Sequence, residues 1–152
     1  MIEIQNLNLN FKRIDRKFLI DIANTILAKE KVSKKVDISV VIVNEKDIQK
    51  MNRQYRKKNK VTDVLSFGSI KDFSSIESFV LPEIVICPDE VKRNADAVNV
   101  SFKNELVRVL IHGILHLLDY DHEKDEKDAK KMFLKQDKYL AMFFKDKKVK
   151  VK

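Results

Sequence analysis

All three histidines of the chain, His112, His116 and His122, fall within eleven consecutive residues. They lie in the run ELVRVLIHGILHLLDYDH, from Glu105 to His122, with the spacing H-x3-H-x5-H. Residues four apart are separated by about 40° around a helix of 3.6 residues per turn. The imidazoles of His112 and His116 therefore leave one face, one turn apart, as two ligands of a single ion require. Glu105 and Arg108 belong to the same polar stripe. A third ligand cannot follow up the helix, because its ring would move off the ion. The chain must turn back, and Asp119-Tyr120-Asp121 supplies residues for that turn, Asp being tolerant of the left-handed conformation. Three neutral imidazoles on zinc leave a fourth position for water, the arrangement of a catalytic site. The ion then lowers the pKa of that water toward ~7 and polarises a carbonyl or phosphoryl oxygen. One Zn2+ per chain is the expectation, although three imidazoles also suit nickel, copper or iron. A purely structural metal would need a fourth side chain, for which Asp119, Asp121 and Glu123 are the nearby candidates.

Zinc peptidases of the H-E-x-x-H kind place a Glu beside the first histidine as general base, and here Gly113 stands in that position. Peptide hydrolysis by that mechanism is disfavoured. The glycine instead permits close approach of another element or of a substrate. A second cluster, Arg53-Gln54-Tyr55-Arg56-Lys57-Lys58-Asn59-Lys60, sets five cations around one aromatic ring. Arg grips phosphate bidentately, Lys adds charge, and Tyr offers a stacking face for an unpaired base. Arg53, Tyr55, Lys57, Lys58 and Lys60 are thus candidate RNA contacts; the plain alternative is a solvated basic turn. The acidic residues Glu123, Asp125, Glu126 and Asp128 read as the solvated start of a helix, where carboxylates favour the dipole.

These residues need a scaffold, and apolar periodicity supplies one. Ile2/Ile4 and Leu7/Leu9/Phe11 alternate as an extended segment does. Phe18, Leu19, Ile22, Ile26 and Leu27 recur at helical intervals between Asp15 and Lys31. Ile38 to Val43 is β-branched and reads as a strand. Asn44 then caps a short helix with Ile48, Met51 and Tyr55 on one side. Val64 to Phe67 is a second strand, Gly68 to Ser78 a polar loop, and Phe79 to Cys87 a third strand in which Pro82 suggests an edge or a bulge. Helices over 88–97, 101–118 and 125–144 follow, the last repeating Met132, Phe133, Tyr139, Leu140 and Phe143. Apolar residues surround most of the histidine helix, which makes it a central buried element. The fold class is α+β: one mixed sheet packed with about five helices, with a zincin-like metal helix.

Length predicts one domain, 1–152, with a basic tail over 145–152. A hydrophobic fraction of 44% and a charged fraction of 36% exclude a disordered chain. The formal net charge of +8 favours polyanionic partners, nucleic acid first. A single cysteine, Cys87, excludes an internal disulfide, and its apolar neighbours make it a buried side chain rather than a nucleophile. The N-terminus lacks the pattern of a signal peptide, and no apolar run approaches a membrane span, so a cytoplasmic protein without membrane contact is expected.

The run from His112 to His122, together with Asn52-Arg53-Gln54-Tyr55-Arg56 and Thr62-Asp63-Val64-Leu65-Ser66-Phe67, resembles the signatures of the YbeY endoribonucleases, also described as ribosomal RNA maturation factors. Order, spacing and length agree over nearly the whole chain. The resemblance implies a zinc-binding α+β fold and single-stranded RNA as substrate. It also implies roles in ribosomal RNA maturation, including processing of the small-subunit RNA 3′ end, and in small-subunit quality control. His112, His116 and His122 fall on the family's metal ligands, and Arg56 on its functionally important arginine. The chain departs from the family at Asp119, where Gly is usual, at Val61, where Pro is common, and at Pro82-Glu83, which replaces Gly-Asp.

On this reading Arg56 and the ion, with its bound water, face each other across a cleft. Arg56 offsets charge developing on the phosphorane. The nucleophile is either that water or the RNA 2′-hydroxyl, and Asp63, Asp121 and Glu123 are the candidate bases. Two further readings compete: an RNA-binding ribosome-assembly factor whose metal only stiffens the fold, and a metal-dependent amide hydrolase.

Overall fold

A computed structural model of the chain describes residues 2–6, 14–32, 36–70, 82–121, 123 and 125–144. Several sequence expectations lie outside the described residues: His122, the extended segment over 7–11, most of the polar loop, the first residues of the third strand and the tail over 145–152. The elements run β1 (Ile2–Asn6), α1 (Arg16–Lys29), β2 (Ile38–Ile42), α2 (Glu45–Arg56), β3 (Val64–Phe67) and β4 (Glu83–Ile86). Then come α3 (Pro88–Val98), α4 (Phe102–Leu117) and α5 (Glu126–Phe143). Among the described residues, five helices on one mixed sheet match the expected α+β class.

The sheet has the order β1-β2-β4-β3. β1, β2 and β4 are parallel, and β3 runs antiparallel along β4, pairing Val64 with Ile86 and Phe67 with Glu83. Every β2 residue is buried, so Ile38-Ser39-Val40-Val41-Ile42 shows no polar alternation, as a strand covered on both faces should. Val40, Ile42, Ile84 and Ile86 join the larger core with α1, α4 and α5, while Val41, Val43, Leu65 and Val85 pack with Ile48 of α2. Cys87 is buried in this second core, and burial raises its thiol pKa.

Pro82 corrects one expectation. β4 lies inside the sheet, not at its edge. The proline is tolerated because it precedes the paired strand and acts as an acceptor, taking the Ser39 N–H on its carbonyl at 3.0 Å. Tyr55 stands seven residues from Ile48, on the same side of α2, but at the helix end, where it is 59% exposed, and Phe133 is 42% exposed beside the buried Met132.

Capping residues set the helix starts. Asn44 accepts the Asp47 N–H at 2.8 Å, Ser101 the Asn104 N–H at 3.0 Å and Asp125 the Asp128 N–H at 2.8 Å. The exposed carboxylates at the start of α5 are thus helix-terminal, as their sequence suggested. α4 is buried nearly all round, from Leu106 through Leu117. Gly113 is where it meets β4: a Cβ there would stand 2.9 Å from Ile84 Cγ2. The bare backbone serves approach of a neighbouring element. Among the described residues no helix is long and apolar enough to cross a membrane.

Candidate active site

The polar stripe of α4 opens into a cleft of about 690 Å³ that Arg108, His112 and His116 line on one side. The imidazoles of His112 and His116 stand with centroids 4.8 Å apart and planes at 74°. An ion ~2.1 Å from a ring nitrogen lies roughly 3.2 Å from that ring's centroid, so two ligands at a near-tetrahedral angle have centroids about 5 Å apart. The observed pair fits that spacing. His112 Nδ1 meets Gln136 Oε1 of α5 at 2.7 Å. Among the described residues no group of three His, Cys, Asp or Glu side chains converges as a metal site does; the third histidine of the set lies outside them.

After α4 the chain turns as its sequence requires. Asp119 has φ +68°, in the left-handed region that an aspartate tolerates. Ser69 Oγ donates to Asp119 Oδ2 at 3.1 Å, and the Ile70 N–H to the Leu117 carbonyl at 2.8 Å, so the segment after β3 holds the turn. Asp121 Oδ1 accepts the Glu123 N–H at 2.8 Å. Tyr120 donates to Glu30 Oε1 at 2.7 Å, and Tyr139 of α5 donates to the other oxygen, which also meets Lys135 Nζ at 3.1 Å. Burial alone would raise the Glu30 pKa, but the two hydroxyl donors and the ammonium outweigh it and the value is lowered. One carboxylate therefore ties the end of α1, the turn and α5 together.

The facing wall comes from the end of α2, the loop after it and β3. Lys57 caps α2 in the left-handed conformation, and buried Asn52 donates to the Lys60 carbonyl at 3.0 Å, which folds the basic loop back on the helix. Arg56 Nη2 donates to the Ser66 carbonyl at 2.7 Å, with its guanidinium 6.0 Å from the Phe67 ring centroid. Ser66 Oγ donates in turn to the Gly113 carbonyl at 3.2 Å. Two hydrogen bonds thus connect Arg56 to the backbone of the histidine helix.

Comparison with known proteins shows the family. The model of the family described as endoribonuclease YbeY matches residues 2–143. The chain belongs to the endoribonuclease YbeY family. It is 38% identical over 132 residues to the endoribonuclease YbeY of Persephonella marina, covering 87% of this chain and 86% of that one. It is 44% identical over 112 residues to that of Staphylococcus carnosus, covering 71% and 72%. The solution structure of TM1509 from Thermotoga maritima superposes with a TM-score of 0.64 at 38% identity, over 93% of this chain and 87% of that one. By family, then, the YbeY chain is a hydrolase of the endoribonuclease class.

Within this YbeY chain the cleft gathers Arg56, Lys58 and Lys60 opposite His112 and His116, but Arg53, Tyr55 and Lys57 lie on the exposed surface outside it. Tyr55 packs edge-on to Phe67 with centroids 5.3 Å apart. Asp63, Asp121 and Glu123 all line the cleft. Asp63 Oδ2 accepts from Asn94 at 3.2 Å and lies 4.0 Å from Arg108 Nη2. Arg108 is itself held by buried Glu105 through Nε and Nη2, and that hydrogen-bonded pair, with Asp63 behind it, raises the arginine's pKa. The stripe legible in the sequence is therefore two histidines preceded by a fixed ion pair. Gln136 and Glu30 escaped sequence reasoning. Gln136 is 24 residues from His112, and Glu30 is 90 and 109 residues from its two tyrosines, so no local pattern announces them.

Proposed function

We propose that this YbeY chain is a metal-dependent, single-strand-specific endoribonuclease of ribosomal RNA maturation, working in the cytoplasm on RNA of the small ribosomal subunit. His112, His116 and His122 hold one ion per chain, zinc by preference for three imidazoles in a site with an open position. Domain 1–152 carries the whole site. The carrying observation is the pair of imidazoles 4.8 Å apart, facing Arg56 across one cleft. When bound, the ion supplies Lewis acidity toward a phosphoryl oxygen and lowers the pKa of a coordinated water.

The remaining work belongs to the chain. Arg56 enters the cleft pre-oriented by its bond to the Ser66 carbonyl, so its other N–H groups meet the scissile phosphate with little reorganisation. They stabilise charge on the phosphorane more than on the ground state. Lys58 and Lys60 attract the flanking phosphates, and Arg53 and Lys57 extend that field over the adjoining surface. Tyr55 is exposed and offers a face to an unpaired base, which a duplex would not present. Asp63, Asp121 and Glu123 line the cleft and are the candidates to move a proton.

Cleavage of a single-stranded RNA and of its duplex, before and after chelation, tests this reading. Loss of single-strand cleavage on chelation with an unchanged circular dichroism spectrum, and recovery on adding zinc, is expected. Unfolding on chelation would favour the assembly factor with a structural metal. Hydrolysis of peptides in place of RNA would favour the amide hydrolase.

A further inference from the structure

Gln136 lies in the middle of α5, buried with only 3% of its surface exposed. A buried primary amide is costly unless its polar atoms are used. Its carbonyl Oε1 stands 2.7 Å from His112 Nδ1. With the amide oxygen turned to the ring, as here, Gln136 accepts, and the matching neutral tautomer carries its hydrogen on Nδ1 and its lone pair on Nε2. An unassisted neutral imidazole in water prefers the opposite tautomer, with hydrogen on Nε2. The contact therefore acts against an intrinsic preference.

We propose that Gln136 is a positioning residue that fixes His112 as the Nδ1–H tautomer and so reserves Nε2 for a metal ion. The inference rests on the metal-site reading above. Three features support a role beyond filling space. The partner is a neutral amide, so it orients the ring without adding charge beside the ion. The partner comes from a different helix, so ring orientation is tied to the docking of α5 on α4. Beside Gln136 on α5, Lys135 reaches Glu30, and Glu30 also holds Tyr120 in the turn before His122. One helix thereby steadies both the first candidate ligand and the approach to the third. Outer-shell partners of metal-bound histidine typically account for a 10–100-fold change in metal affinity.

The test compares the wild type, Gln136→Glu and Gln136→Leu, all without a purification tag. The tautomer is read in the metal-free protein from the 15N shifts and long-range 15N–1H couplings of the imidazoles, at a pH where the rings are neutral. The His112 signals are assigned by their loss in His112→Gln. Zinc affinity is measured separately by competition with a chromophoric chelator. Wild-type His112 is expected as Nδ1–H. Gln136→Glu, which keeps an acceptor, should retain that tautomer and bind zinc. Gln136→Leu should shift toward Nε2–H and lose 10–100-fold in zinc affinity with its circular dichroism unchanged. Hydrogen on Nε2 in the wild type would overturn the proposal even if Gln136→Leu failed to fold. So would a Gln136→Leu protein that keeps both tautomer and affinity. If the wild type took up no zinc, the metal-site reading would fail, and the tautomer measurement would still decide whether Gln136 sets the ring.

Discussion

Replacing Gly113 by alanine sets two local effects of opposite sign against each other. Alanine is the better helix former, by about 1 kcal/mol in a helix interior. Against that, the new Cβ would lie 2.9 Å from Ile84 Cγ2 and 3.3 Å from both Cγ1 and Cδ1. Carbon pairs are most favourable at ~3.5–4.0 Å, so α4 and β4 must separate locally by roughly 0.6 Å or more. Ile84 cannot easily yield. It is fully buried, and its Cγ2 sits on a branched Cβ with restricted χ1. Overpacking of this kind costs about 1–3 kcal/mol. The net expectation is a destabilisation of about 0–2 kcal/mol, read from urea unfolding with an unchanged m value. Function should suffer more than stability, because Gly113 follows His112 directly and its carbonyl anchors Ser66 of β3. The movement that relieves the clash shifts a candidate ligand relative to Arg56. Single-strand RNA cleavage is therefore expected to fall in protein that remains folded. In an Ile84→Ala background the clash disappears, and Gly113→Ala should become neutral or stabilising. A stabilised Gly113→Ala in the wild-type background, or a penalty that persists undiminished with Ile84→Ala, would refute the close-approach reasoning.

Other perturbations separate the parts of the site. Arg56→Ala should lower RNA cleavage by about 10²–10³-fold, the usual loss of one preorganised donor, and Arg56→Lys should recover only part of it because the planar fork is gone; unchanged cleavage and RNA binding in the alanine variant would exclude the role. The lowered pKa of Glu30 means that its stabilising contribution is complete above the unfolded value of about 4.3 and disappears as pH falls through the lower folded value. Thermal melts of the wild type should thus fall more steeply below pH ~4 than those of Glu30→Gln. At neutral pH that variant should be less stable by about 1–3 kcal/mol. At Asp119, with φ +68°, alanine should cost about 1–2 kcal/mol, whereas glycine should be close to neutral because relief of the left-handed backbone offsets the lost Ser69 bond. Equal melting temperatures for the alanine and glycine variants would contradict that assignment.

Much of this architecture was legible because local rules and burial agree. The all-round apolar character of 105–118 marks a helix through the core, and α4 is that helix. Asn44 and Ser101 announce helix starts that the structure places one residue later, at Glu45 and Phe102. The H-x3-H spacing needs only helical geometry to bring two rings together, and it does. Legibility ended where position depends on residues distant in sequence. Pro82 looked like an edge marker because strand order is a tertiary property, and a proline just before an interior strand still offers its carbonyl. Phe133 fits helical apolar spacing, yet α5 meets the core over a narrower arc than the pattern suggested, and Tyr55, on the Ile48 side of α2, lies at the helix end beyond the core. Gln136 and Glu30 are unremarkable in composition. Their roles arise only when α5 docks against α4 and the end of α1.

Metal content and cleavage in one tag-free preparation test the central claim most directly. Elemental analysis of the purified protein should find about one ion per chain, and His116→Ala should lose both the ion and single-strand RNA cleavage while keeping its fold. A folded wild type that holds no metal, takes none up on reconstitution, and cleaves RNA as well with His116→Ala would contradict it.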